Sequence, residues 1–274
     1  MSQIKLASVV GFLESFAPLQ LAEDWDNVGL LLGDRAANIT KAMTCLTITP
    51  EVVQEAVDGG VELIVSHHPM PFRSLKKITS DSTTGQMILE LIRNNVAVYS
   101  PHTAFDSAGE GINQSIAERL GLVEIQPIHA LDSRAGTDDQ ANEVGVGRTG
   151  RLKKPESGQE ICIRLKQHFA LPMIKFCGDL DRPLQKIGIA CGSAGQFLSD
   201  AARLGCDAFV TGETNFHTCL ESLAHQVSLF LLGHFGSERF AVEMLAERLS
   251  SEFPNLSIHA SIEDKDPIQY VTGT

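Results

Sequence analysis

The chain has 274 residues, 43% hydrophobic and 20% charged, a balance that excludes both a disordered polyelectrolyte and a membrane-embedded chain. Its 34 Asp and Glu outnumber 22 Lys and Arg for a formal net charge of -12, and a field of that sign repels a phosphate backbone where no sizeable Lys/Arg cluster offsets it. Nucleic acid is therefore not expected as a direct partner, and the length suits one large domain or two modest ones.

The N-terminal stretch lacks a continuous apolar segment followed by a small-residue cleavage site, and residues 4–16 read as an amphipathic helix instead of a secretory signal. Apolar runs rich in β-branched residues predict strands over 28–32, 42–48, 61–66 and 96–100. Helical periodicity between and after them predicts helices over 51–58, 84–94 and 112–120, with Gly59-Gly60, Asn94-Asn95 and Gly121 as stop signals. From 127 to 140 the period is lost in a polar stretch, which predicts an exposed loop and a domain boundary. A Gly-interrupted strand then spans 144–152, and Ser157-Gly-Gln-Glu160 has the form of a capping box opening a helix that runs to Phe169. Strands over 186–190, 208–211, 227–232 and 257–260 alternate with helices over 197–204, 217–225 and 238–252. The apolar run at 227–232 is far too short to span a membrane. Alternation of this kind predicts an α/β fold with largely parallel or mixed sheets. Six cysteines are scattered without a CxxC pair, so reduced thiols and a cytoplasmic location are expected.

The chemistry concentrates at strand ends. Ser66-His67-His68-Pro69 closes the apolar run 61–66, at the carboxyl end where α/β sheets line their crevices. Adjacent side chains on a regular strand face opposite ways, so His67 and His68 reach one site only if the strand stops there, and Pro69 favours that stop. The run 96–100 ends in Ser100-Pro-His102-Thr-Ala-Phe-Asp106, which supplies an imidazole and a carboxylate. The run 227–232 leads into Gly233-His234-Phe-Gly-Ser-Glu238, whose His and Glu, four apart, share a helix face. Together His67, His68, Asp106, His234 and Glu238 form a nitrogen and oxygen donor set without thiolate. That inventory exceeds one tetrahedral zinc and suits two divalent ions bridged by carboxylate and water, with Zn, Fe or Mn as fitting metals. A buried network of histidines and carboxylates without metal is the alternative.

The run Trp25-Asp-Asn-Val-Gly-Leu-Leu-Leu-Gly33, the Ser-His-His-Pro motif at 66–69, His102-Thr-x-x-Asp106, Gly192-Ser-Ala-Gly195, Thr211-Gly-Glu213 and Gly-His-x-x-x-Glu at 233–238 resemble the NGG-interacting-factor-like family, also known as GTP cyclohydrolase I type 2 homologues. The resemblance covers nearly the whole chain with the motifs in the family's order. It implies two αβ domains with mixed sheets, the second inserted into the first: 1–127 plus 232–274 as the metal-binding domain and 128–231 as the insert. It also implies a dinuclear centre held at the positions of His67, His68, Asp106, His234 and Glu238, and a toroidal homohexamer built as a trimer of dimers. The polar stretch 128–143 matches none of these motifs, and the long mid-chain module of some relatives does not fit this length.

His102 lies beside these ligands, where it would support them by hydrogen bonds or transfer protons. Thr103 reads equally well as a structural strand-end residue, and Trp25, Asp26 and Asn27 either rim the pocket or form a turn stabilised by the Asp and Asn side chains. Gly192-Ser-Ala-Gly195 lacks the Lys of a P-loop and reads as a tight turn. The expected function is metal-dependent hydrolysis of a nucleotide or related small molecule, by ring opening of GTP through the resemblance or by attack on a phosphoester. The second reading is a non-catalytic, ring-shaped metal-binding assembly protein serving metal handling or partner interaction.

Overall fold

Residues 3–131 and 144–271 are described by a computed structural model; most of the predicted polar loop, 132–140, lies outside the described residues. The chain divides into two units, Met1–Phe105 with Arg239–Pro267, and Asp106–Glu238 with Ile268–Thr274. The chain crosses between the units at 105/106, 238/239 and 267/268, where two crossings, at 127/128 and 231/232, were expected. The reason for the earlier division lies in strand pairing: residues 123–126 join the sheet of the second unit.

In the first unit the elements are β1 (Ile4–Lys5), α1 (Leu6–Phe16), β2 (Gly29–Leu32), β3 (Asn38–Ile39), β4 (Lys41–Cys45), α2 (Pro50–Asp58), β5 (Leu63–Ser66), α3 (Thr83–Arg93) and β6 (Ala97–Ser100). The division falls within α4 (His102–Ser107). The second unit continues with α5 (Ile112–Arg119), β7 (Val123–Gln126), β8 (His129–Ala130), β9 (Gly145–Val146), β10 (Arg148–Ser157), α6 (Gly158–His168), β11 (Lys175–Cys177), β12 (Pro183–Ala190), α7 (Leu198–Arg203), β13 (Ala208–Thr211), α8 (Phe216–Ala224), β14 (Ser228–Leu231) and α9 (His234–Glu238). The first unit resumes with α10 (Phe240–Glu252) and β15 (Ser257–Ala260).

The sheet of the first unit has five strands in the order β15-β4-β5-β6-β2, parallel except for the antiparallel edge strand β2. Every residue of β5 and β6 is buried, as expected of central strands covered on both faces. Met43, Ile64 and Val98 pack there with Val52 and Ala56 of α2 and Ile88 and Leu91 of α3. Both helices begin on side-chain caps: the Thr49 hydroxyl accepts from Val52 N and the Ser82 hydroxyl from Gly85 N. The predicted strand 42–48 stops at Cys45 because the Leu46 amide donates to the Asp264 carboxylate, at 2.6 Å, instead of continuing the ladder.

The second sheet has six strands in the order β11-β14-β13-β12-β10-β7, with a parallel centre of β12, β13 and β14 and antiparallel flanks. Ser157 and Glu160 close the predicted capping box at α6. Arg148 at the start of β10 is fully buried. Its guanidinium donates to the carbonyls of Gly145 and Gly147 at 2.7 Å, to those of Ala108 at 2.7 Å and Ser107 at 3.4 Å, and to Gln114 Oε1 at 2.9 Å. One cation thereby ties the end of α4, α5 and the β9-to-β10 turn together, with its charge spread over carbonyl dipoles.

Arg148→Met is expected to destabilise the protein by about 3 kcal/mol, because buried carbonyl oxygens lose their donors while the apolar volume is roughly kept. Urea denaturation followed by circular dichroism measures it; an unchanged midpoint would show that the guanidinium is structurally dispensable.

Candidate functional site

In the first unit, parallel pairing brings the ends of β4, β5 and β6 to one side of the sheet. His67 and His68 follow β5 directly, their amides bonded to the carbonyls of Cys45 and Leu46 at 2.9 and 2.8 Å, and Ser100 at the end of β6 donates its hydroxyl to the His67 carbonyl at 2.6 Å. His102 lies two residues beyond β6 and opens α4. The ring centroids of His67 and His68 are 5.2 Å apart, those of His67 and His102 5.2 Å, and those of His68 and His102 5.6 Å. One ring nitrogen from each of the three lies within 4.8 Å of the others.

Two of these rings are oriented by neighbours. The Thr47 hydroxyl is 2.7 Å from Nδ1 of His68. An Asp26 carboxylate oxygen is 2.7 Å from Nδ1 of His102, and its other oxygen accepts from the amide and hydroxyl of Thr103. Burial opposes ionisation of Asp26, but the hydrogen bonds from His102 and Thr103 outweigh it and hold the carboxyl below its ordinary range. An ionised carboxylate only accepts, so in neutral His102 the proton sits on Nδ1 and the lone pair on Nε2. His102 adopts φ +29°, a conformation rare for a non-glycine residue and often found at functional sites. Asp26 also accepts from the Asn27 amide at 2.7 Å, so the turn reading of these residues holds beside the new role.

In the second unit the parallel strands β12, β13 and β14 also end together. The turns that follow are stitched to one another: Glu213 N donates to Gly192 O at 2.9 Å and Gly233 N to Gly212 O at 2.8 Å. One turn of α9 then sets His234 Nε2 3.2 Å from the buried carboxylate of Glu238. His234 Nδ1 meets Glu213 Oε1 at 2.9 Å. The hydrogen bond with Glu238 pushes the His234 pKa up to about 9, against the opposing effect of burial and with further help from Glu213. Gly192 has φ +65°, and a Cβ there would overlap the Glu238 carboxylate, so the tight turn expected at 192–195 also makes room for that side chain. Asp106 accepts from the Cys191 thiol at 3.2 Å, and Asn113 bridges the Asp106 carbonyl and the Cys191 amide at 3.1 and 2.8 Å. Burial, then the nearby Asp106 and Glu238 carboxylates, push the Cys191 pKa well above its ordinary value, which keeps this residue a thiol.

The five predicted ligands are thus divided: His67 and His68 belong to the first unit, joined there by His102, and Asp106, His234 and Glu238 belong to the second. His217 is exposed against Phe216 on α8, with ring centroids 6.0 Å apart. Asp26 and Glu213, which orient histidines, were legible as members of the 25–33 and 211–213 motifs but not in that role. The donor types suit Zn, Fe or Mn. Clustered imidazoles and a buried carboxylate are costly to desolvate without a cation, so the residues present fit a bound metal ion.

The family model described as Duf34/NIF3 (NGG1p interacting factor 3) matches residues 4–267. The GTP cyclohydrolase 1 type 2 homolog of Clostridium perfringens is 36% identical over 274 residues, covering 98% of this chain and 100% of the relative. NIF3-like protein 1 of Drosophila melanogaster is 35% identical over 281 residues, covering 98% of this chain and 90% of the relative. Among solved structures, Staphylococcus aureus protein SA1388 is similar with a TM-score of 0.86 and 26% identity, over 98% of this chain and 99% of that one.

Glu213 holds the ring of His234, and loss of such an orienting carboxylate typically weakens metal binding about 10–100-fold. Glu213→Ala is therefore expected to lower Co(II) affinity by that order, read from the visible absorption of cobalt during titration. Affinity equal to that of the parent would remove Glu213 from the site.

Proposed function

The chain belongs to the Duf34/NIF3 family, and on that premise we propose that it is a divalent-metal hydrolase of a nucleotide or related small molecule. His67, His68, Asp106, His234 and Glu238 would hold two divalent ions, of Zn, Fe or Mn. The observation that carries the reading is the packing of His67, His68 and His102, whose ligand nitrogens lie within 4.8 Å of one another. The name of the Clostridium perfringens relative, GTP cyclohydrolase 1 type 2 homolog, supports a nucleotide-like substrate. Bound divalent ions would supply Lewis acidity and lower the pKa of water toward neutrality, which suits hydrolysis of a ring carbon or a phosphoester.

The chain's own residues supply the rest. Glu213 holds the Nδ1 side of His234, so that Nε2 is the nitrogen turned to Glu238. Thr47 holds His68 in the same manner. His102 accepts a proton at Nε2, and Asp26, hydrogen-bonded at Nδ1, stabilises the imidazolium that results. Thr103 keeps Asp26 aimed by two hydrogen bonds, and Glu23 N fixes the Thr103 hydroxyl at 3.0 Å. The same proposal includes assembly as a homohexamer, a trimer of dimers, and a cytoplasmic location. All six cysteines are free thiols, which suits a reducing compartment. Among the described residues no helix is long and apolar enough to cross a membrane.

Elemental analysis of protein purified without chelator is expected to give about two ions per chain, with clear loss in His68→Ala and Glu238→Ala. Metal-loaded protein should turn over GTP or a phosphodiester saturably. Asp26→Asn should lower kcat by about 10²–10⁴-fold with metal content retained. No bound metal after reconstitution would overturn the metal reading; full metal occupancy with no turnover of any nucleotide would favour the non-catalytic assembly protein.

A further inference from the structure

Trp25 and Phe72, in two separate loops of the first unit, are 61% and 50% exposed. Their ring centroids are 6.0 Å apart, and each also stands against His102, at 6.0 Å for Trp25 and 6.1 Å for Phe72. Scattered exposed apolar side chains are ordinary, but two large rings in contact at one point are not scattered. The loops that carry them are pinned. Asn27 Nδ2 donates to Pro71 O at 2.8 Å, joining one loop to the other, and Asp26 bonds to both His102 and Thr103. The rings are therefore held out to solvent by a hydrogen-bonded frame immediately beside the imidazole cluster.

The charge around them is also uneven. In a chain of net charge -12, the segment from Pro69 to Ser80 contains Arg73, Lys76 and Lys77 and no acidic residue. All three cations are exposed. Apolar ring faces next to a short cationic loop match a ligand with a planar heteroaromatic head and an anionic tail.

We propose that Trp25 and Phe72 form a stacking ledge for the base of a nucleotide, with Arg73, Lys76 and Lys77 attracting its phosphate. This rests on the nucleotide reading above and adds where the base is held. Stacking needs no hydrogen-bond readout, so the ledge selects for a flat ring and a negative charge more than for a particular base.

Trp25 is the one tryptophan of the chain, so its emission reports directly on the ledge. Guanosine 5′-monophosphate is expected to quench it saturably in both chelator-treated and metal-loaded protein, while ribose 5-phosphate leaves it unchanged. Guanosine should bind more weakly than its monophosphate, with the difference shrinking as salt rises. Phe72→Leu keeps apolar bulk but removes the ring face, and should weaken the monophosphate about tenfold with metal content unchanged. Trp25→Leu, followed by equilibrium dialysis, should do the same. Absence of quenching in the parent, or parental affinity in both variants, overturns the ledge; if metal content and turnover persist in that case, the hydrolase reading survives without it. Unchanged nucleotide affinity together with a shift in oligomeric state on sedimentation would make the ledge a contact between copies of the chain, and would overturn the proposal equally.

Discussion

Parallel pairing makes neighbouring strands finish on the same side of a sheet, and in both units the side chains of the candidate site begin within a few residues of those ends. In the first unit the register of β4, β5 and β6 places His67, His68 and His102 together, although 34 positions separate His68 from His102. In the second unit β12, β13 and β14 do the same for Gly192, Glu213 and His234. Few side-chain contacts could impose such convergence alone. The ladder imposes it because a shift by one residue would turn every buried side chain of a central strand to the other face.

On that frame, hydrogen bonds set which atom of each side chain faces where. Asp26 and Glu213 each take the Nδ1 side of a histidine, and Thr47 takes that of His68. A histidine held at one nitrogen presents the other in a defined direction, which is what both ligation and proton transfer require. The loops involved are expensive to hold in place. The left-handed backbone of His102 and the exposed rings of Trp25 and Phe72 cost stability locally. The buried cores of the two sheets and the many-handed hydrogen bonding of Arg148 offset that cost elsewhere.

Most regular elements were legible in the sequence because their signals are local. The strands 208–211 and 257–260 have the bounds that apolar runs predict, and the Ser157 capping box closes as written. The elements that were missed are short and depend on a distant partner. β11 has three residues and exists as an edge strand only because β14 lies beside it. β7 pairs with β10, across the segment that was expected to be a domain boundary. α4 was read as a strand end, since one short turn of helix leaves no period to detect. The predicted helix over 238–252 is preceded by α9, whose five residues carry His234 and Glu238.

The site follows the same division. The sequence by itself determined the mixed α/β class and the strand-end groups containing His67, His68, His102, Asp106, His234 and Glu238, because strand periodicity and His/carboxylate motifs are written in adjacent letters. Only the tertiary structure decided that Asp26 orients His102, that Glu213 orients His234, and that Gly192 is bare to admit Glu238. It also placed Trp25 against Phe72, 47 residues further along the chain. Each of these depends on loops brought together by strand order and register, and a contact between residues remote in sequence leaves no periodic trace in either segment.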